Sequence, residues 1–215
     1  MSQAASSSSA SCSTSAGCSS PQSASTFGVR ELATEIDRAL EGQPSWESIC
    51  EKVRAALPRF LANEGAIPAT HLVGNPERYT RNLLYADPAK RYVVLALVWE
   101  AGQQTPIHDH ECWGVVGCYR GAITEVAYAT PPPNVLPVLP NSLKQTTVSV
   151  LSPGQSCAVD PPNRDLHRMK NDTGARTVTV HVYGREMLSC NVFCNGAITR
   201  RHFVYDQTTP VWSKS

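Results

Sequence analysis

The chain contains no apolar run approaching the roughly 20 residues that a transmembrane helix needs, so no membrane span is expected. Its first residues lack a basic stretch followed by an apolar one, so no secretory signal is expected either. Charge of one sign is also missing: 19 Lys and Arg against 18 Asp and Glu leave a formal net charge of +1. That balance argues against nucleic acid or a membrane surface as an electrostatic partner. Aromatic residues are sparse, at 7%, and are not interleaved with basic ones, which argues against RNA binding. The 8 cysteines form no Cys-x-x-Cys pair, and 215 residues are too many for them to make a disulfide scaffold. They read as reduced thiols of a cytoplasmic protein. Composition leaves the oligomeric state open, a monomer included.

The length suits one domain with an appendage. Residues 1–25 form a Ser/Ala-rich tail holding Cys12 and Cys18. This tail is expected to be disordered, because it has too little apolar surface to offset the entropy of ordering. Residues 26–215 are expected to be the folded domain, helical over about 27–62 and a barrel over about 79–205. Val29, Leu32, Ala33, Ile36 and Leu40 recur at helical spacing between Phe27 and Leu40. Gly42 and Pro44 end that helix, and Ser45 can cap the next. The second helix, Trp46 to about Leu61, is expected to turn Trp46, Ile49, Val53, Leu57 and Phe60 inward. Pro58 should kink it or end it early.

From Tyr79 onward, short runs rich in Val, Ile, Tyr and Thr alternate with Gly, Pro, Asn and Asp. Strands are predicted over Leu83–Tyr85, Tyr92–Glu100, Cys112–Cys118, Ala122–Tyr128, Thr146–Leu151, Gln155–Val159, Leu166–Lys170, Arg176–Tyr183 and Leu188–Phe193. Strands in succession without intervening helices predict a mainly β sandwich or barrel. Pro131–Pro140 reads as a surface loop, since Pro is excluded from central strands.

The chain has 6 histidines, and two of them stand in Pro106-Ile107-His108-Asp109-His110. On a strand, His108 and His110 share a face and Asp109 points the other way. His167 from a neighbouring strand would complete a facial set of three neutral nitrogen donors, with positions left open for chemistry. Imidazole suits iron and zinc alike, so these residues alone leave a zinc hydrolase open. Thr179, His181 and Tyr183 also share one strand face, with Val178, Val180 and Val182 on the other. A polar stripe aimed into a barrel needs hydrogen-bond partners.

Gly102, His108, His110 and Gly121 resemble the first cupin motif, and Gly154, His167 and Asn171 the second. Where many cupins place a glutamate ligand, this chain has Gly114. Tyr79-Thr80-Arg81-Asn82-Leu83, Trp99, His108-Asp109-His110, Leu166-His167-Arg168 and Thr179-Val180-His181-Val182-Tyr183 resemble, in order, the motifs of the cysteine dioxygenase family. Cys112-Trp113-Gly114-Val115-Val116-Gly117 resembles its bacterial form.

This resemblance implies a small cupin β-barrel behind two N-terminal helices, with Fe(2+) on His108, His110 and His167. It implies a dioxygenase that adds O2 to the sulfur of a small thiol, L-cysteine giving cysteine sulfinic acid. Arg81 matches the arginine that holds the substrate carboxylate, as a guanidinium fork suits a carboxylate. Tyr79 would help shape that pocket and Trp99 would pack beside the site. Thr179, His181 and Tyr183 match the family's Ser-His-Tyr relay, with Thr in the Ser position.

The branch acting on 3-mercaptopropionate typically has a glutamine where Arg81 stands, so Arg81 favours cysteine. Gly184-Arg185, in contrast, resembles bacterial mercaptopropionate-type enzymes. Mammalian members cross-link a cysteine to the tyrosine matching Tyr183. That cysteine's position is Gly114 here, so no such thioether is expected. Cys112 is a remote substitute, and Cys190 reads as an inert buried thiol. A cupin that binds metal without catalysis remains a further alternative.

Overall fold

A computed structural model of the chain describes residues 1, 27–129, 143–194 and 197–208. The predicted tail, Met1 apart, and the predicted Pro131–Pro140 loop lie outside the described residues. Helices α1 (Val29–Ala39) and α2 (Trp46–Leu61) come first. Ser45 caps α2 by accepting the Ser48 N–H at 3.3 Å. Helix α2 runs past Pro58 to Leu61 rather than ending there. One missing N–H removes one bond, and the Ala62 N–H still reaches the Pro58 carbonyl at 3.0 Å. Trp46, expected inward, is 41% exposed, because it opens the helix ahead of the buried turns that begin at Ile49.

The rest of the chain is β: β1 (Thr80–Ala86), β2 (Val93–Trp99), β3 (Ile107–His108), β4 (Gly114–Arg120), β5 (Ile123–Tyr128) and β6 (Gln145–Leu151), then β7 (Ser156–Val159), β8 (His167–Lys170), β9 (Thr177–Tyr183), β10 (Ser189–Cys194), β11 (Ala197–His202) and β12 (Gln207–Thr208). They form two six-stranded sheets, ordered β12-β1-β2-β9-β4-β7 and β11-β10-β3-β8-β5-β6. Every pairing is antiparallel except β12 with β1. This is the small cupin barrel, with the two helices laid against its first sheet. The predicted strands are present with ends shifted by a few residues, whereas β3, β11 and β12 lie outside the predicted ranges.

The first sheet is covered on both sides. Val94, Ala96 and Val98 of β2 pack with Leu32, Ile36, Val53 and Leu57 of the helices. Val93, Leu95, Leu97 and Trp99 of the same strand pack inside the barrel with Ile123, Met169 and Val192 of the second sheet. A strand buried on both faces reads as a continuous apolar run, which is what Val93–Trp99 is. On β9 the helix-side residues are Val178, Val180 and Val182. Thr179, His181 and Tyr183 therefore face the barrel interior.

The cupin-motif residues shape corners. Gly121 has φ +77°, and a Cβ there would lie 2.5 Å from Thr177 Oγ1. Asn171, fully buried, donates to the carbonyls of Trp99, Glu100 and Ala175 at 3.2, 3.1 and 2.9 Å. Among the described residues no helix is long and apolar enough to cross a membrane.

Candidate metal centre

His108 and His167 are paired directly across β3 and β8. Strand β3 ends at His108, so His110 is not held by a continuing strand, as the sequence pattern suggests. Side chains hold it instead. Asp165 Oδ1 accepts the His110 backbone N–H at 2.8 Å, and Asp109 Oδ1 accepts the N–H of Asn191 at 2.8 Å. Arg185 donates to the His110 carbonyl at 3.1 Å and to Glu111 at 2.8 Å. Glu111, at φ +54°, turns the chain away immediately after His110.

The three imidazole centroids lie 4.8, 4.8 and 4.7 Å apart. One donor atom from each falls within 4.8 Å of the others. Each Nδ1 has an oxygen partner: Pro106 O at 3.0 Å for His108, Asp165 O at 3.0 Å for His110, and Glu125 Oε1 at 2.9 Å for His167. A carbonyl or carboxylate oxygen only accepts, so each Nδ1 carries the proton and each Nε2 keeps its lone pair. Burial, and then the neighbouring histidines, hold the pKa of His108 well below 6.5. Burial likewise lowers that of His110.

The Nε2 atoms of His110 and His167 are buried without a hydrogen-bond partner. A buried unpaired acceptor is costly, and a metal ion would satisfy both at once. The residues thus fit a divalent metal held by His108, His110 and His167.

Glu125 is the partner that sequence reasoning missed. It lies on β5, diagonal to His167 across the β5–β8 ladder, and is 5% exposed. Burial, the largest single influence, would raise its pKa, but the hydrogen bond and charge of His167, with Cys157 and Arg164, together hold it below 4.5. Its signal was a charged residue in register with inward-facing Ile123.

Arg81 enters the same cavity from β1 and is 6% exposed. Its Nη2 donates to the Met187 carbonyl at 2.8 Å, and its guanidinium carbon lies 4.4 Å from the Phe203 ring centroid. Its Nε is buried and unpartnered. Tyr79 and Trp99 stack at 4.5 Å on the cavity wall. Trp99 also donates to Thr179 Oγ1 at 2.8 Å, so it is a hydrogen-bonding member of the site as well as a packing residue. Thr179 Oγ1 is 2.8 Å from His181 Nε2, and His181 Nδ1 is 2.8 Å from the Tyr183 hydroxyl. The Tyr183 ring lies 5.6 Å from that of His110. Burial pushes the Tyr183 pKa up, which keeps the phenol protonated. Seven of the nine expected site residues line one cavity; His110 stands beside His108 and Tyr183, and Thr179 beside Trp99 and His181.

The family model for cysteine dioxygenase type I matches residues 52–195. The chain belongs to the cysteine dioxygenase type I family. In structure it is also similar to a protein from Thermus thermophilus, at 16% identity over 55% of this chain and 95% of that one, TM-score 0.42. It is similar to a Klebsiella pneumoniae protein with a double-stranded β-helix domain, at 14% identity over 59% and 93%, TM-score 0.42. An oxalate oxidase in complex with glycolate matches at 14% identity over 58% of this chain and 56% of that one, TM-score 0.39. Family membership makes the centre that of a dioxygenase-type enzyme with a metal cofactor.

Gly114 stands at the position expected to match the cross-linked cysteine of mammalian members. This glycine pairs with Tyr183 across β4 and β9, and a Cβ on it would lie 2.8 Å from Tyr183 Cδ1. Gly184 and Arg185 are not among the described residues lining the Arg81 cavity. Gly184 makes room for the Trp113 indole, and Arg185 holds the His110 carbonyl. Cys190 does line the cavity, and burial pushes its thiol up to about 12. It stays a neutral thiol.

Proposed function

We propose that this protein is an iron(II) thiol dioxygenase that converts L-cysteine and O2 to cysteine sulfinic acid. The observation that carries the reading is the buried Arg81 guanidinium, with an unpartnered Nε, in the cavity walled by His108 and His167. A small thiol carboxylate is the ligand whose two ends match these two groups. Iron on the three imidazoles would supply the oxygen chemistry and favour the thiolate form of the substrate.

The chain's own residues do the rest. Arg81 takes the carboxylate, while Phe203 and the Met187 carbonyl hold the guanidinium in place. Tyr183 supplies a hydroxyl beside His110, and His181 fixes the orientation of that hydroxyl. Leu97, Met169 and Val192 keep the cavity apolar, which strengthens these polar contacts.

The second reading is 3-mercaptopropionate as the preferred thiol. It is favoured by one observation: the described residues lining the cavity include Arg81 and no carboxylate to receive an ammonium group.

Oxygen uptake by the anaerobically iron-loaded protein, with both thiols side by side and products identified by mass, is the test. A higher kcat/KM for cysteine supports the proposal. A higher value for 3-mercaptopropionate transfers the assignment to the second reading. Tight iron binding with oxidation of neither thiol removes the dioxygenase reading.

A further inference from the structure

We infer that the indole N–H of Trp99 sets the direction of the hydrogen-bond chain ending at Tyr183, so that the phenol presents its proton to the cavity. The chain has three links of 2.8 Å: Trp99 Nε1 to Thr179 Oγ1, Thr179 Oγ1 to His181 Nε2, and His181 Nδ1 to Tyr183 Oη. Its members are between 0% and 2% exposed, so water does not compete.

Direction follows from counting protons. An indole N–H only donates, so the first link must run from Trp99 into the Thr179 oxygen. A hydroxyl has one hydrogen of its own. Among the described residues the other partner of this hydroxyl is His181 Nε2. A buried hydroxyl hydrogen without an acceptor is costly, so Thr179 donates to Nε2. His181 Nε2 is therefore an acceptor, and the single proton of the neutral imidazole sits on Nδ1. That proton goes to the Tyr183 oxygen. One hydrogen must be left over, and it is the phenol's: Tyr183 lines the cavity and can donate to its occupant, whereas Thr179 is not among the described lining residues. Burial holds the His181 pKa well below 6.5, in keeping with a neutral ring.

Without the Trp99 N–H, either direction leaves one function of the Thr179 hydroxyl unpaired, its oxygen in this direction and its hydrogen in the reverse, so the preference is lost. In the reverse, Tyr183 donates to His181 and turns its lone pairs toward the cavity. A lone pair repels an anionic sulfur or oxygen atom, whereas the hydroxyl hydrogen stabilises one. Trp99 is thus a positioning residue that acts through Thr179 and His181. The benefit to catalysis rests on the thiol-dioxygenase reading, while the direction of the chain does not.

The test is the tautomer of His181, read from nitrogen shifts in the full-length, 15N-histidine-labelled protein. Zinc serves as a diamagnetic occupant, and a His181→Asn variant assigns the signal. The wild-type ring is expected as the Nδ1–H form. Trp99→Phe should move part or all of the population to Nε2–H, Thr179→Val should do the same, and Thr179→Ser should restore Nδ1–H. In the iron-loaded enzyme, Trp99→Phe should lower kcat by about tenfold, the worth of one neutral hydrogen bond, with KM little changed. If Trp99→Phe does not fold, benzothienylalanine at position 99 keeps the bicyclic shape without the N–H. A wild-type Nε2–H tautomer overturns the inference, and so does an unchanged Nδ1–H tautomer after loss of the indole N–H. If the tautomer responds as expected but no thiol is oxidised, the inference stands and the functional reading fails.

Discussion

His167 Nδ1 lies 2.9 Å from Glu125 Oε1, and both side chains are shut away from solvent. The ligand set contains no carboxylate, yet a carboxylate stands one hydrogen bond behind it. Glu125 fixes the tautomer and ring orientation of His167 and makes its Nε2 a stronger donor. Ser149 donates to the other carboxylate oxygen at 3.3 Å, which limits its rotation.

Glu125→Gln keeps the shape and an accepting oxygen but removes the charge. Metal affinity should fall about 10- to 100-fold, as for other partners of ligating histidines. Competition with a chelator under anaerobic conditions measures this. An affinity within twofold of wild type would show that Glu125 does no more than fill space.

Arg81→Ala removes a buried cation from the cavity. If the carboxylate pairs with it, the loss is about 2–5 kcal/mol, much of it the penalty of leaving a charge unpaired. At about 1.4 kcal/mol per decade, KM for cysteine should rise tens to thousands of times. Steady-state oxygen uptake decides, and an unchanged KM rules out the contact.

Gly184 is required by space and not by backbone conformation. A Cβ there would lie 2.2 Å from Trp113 Nε1. Gly184→Ala should therefore destabilise the fold by about 1–3 kcal/mol through overpacking. Thermal and urea unfolding report it directly. Full stability in this variant would mean that Trp113 relocates at no cost.

Asp206 ties the C-terminal segment to β1. It accepts from Arg78 at 2.6 and 3.0 Å and from the Arg81 N–H at 2.8 Å. Burial alone would raise its pKa, but these donors outweigh burial and hold it below 3.8. A carboxyl whose folded pKa is depressed stabilises the protein above its unfolded pKa, and loses that contribution as pH falls through the folded value. Asp206→Asn should therefore cost about 1 kcal/mol at neutral pH, a modest figure because Arg78 is half-exposed. The difference from wild type should vanish below the depressed pKa. Urea unfolding at neutral pH and near pH 2 checks this, and a pH-independent difference would assign the effect to packing.

Much of the site was legible because it is written in local periodicity. The alternation of Thr179, His181 and Tyr183 with three valines specified which face looks inward, since a strand repeats every two residues. Asn171 and Gly121 were recognisable through their resemblance to the cupin motifs. The pairing of His108 with His167 needed only two strands to lie side by side.

Other parts were decided by contacts between residues far apart in the chain. Glu125 meets His167 across 42 positions. Trp99 meets Thr179 across 80, and Arg81 meets Met187 across 106. Strands β11 and β12 carry no alternating apolar pattern, because their residues are exposed; backbone pairing holds them, and Arg200 of β11 also pairs with Glu111. Phe203 reaches Arg81 only because Asp206 and β12 return the chain to β1. The sequence by itself determined the inward faces, since periodicity is a property of each strand alone, and its histidine motifs pointed to the candidate metal ligands. Which oxygen backs each imidazole, and what holds the guanidinium, depended on the register between strands, and only the folded barrel sets that register.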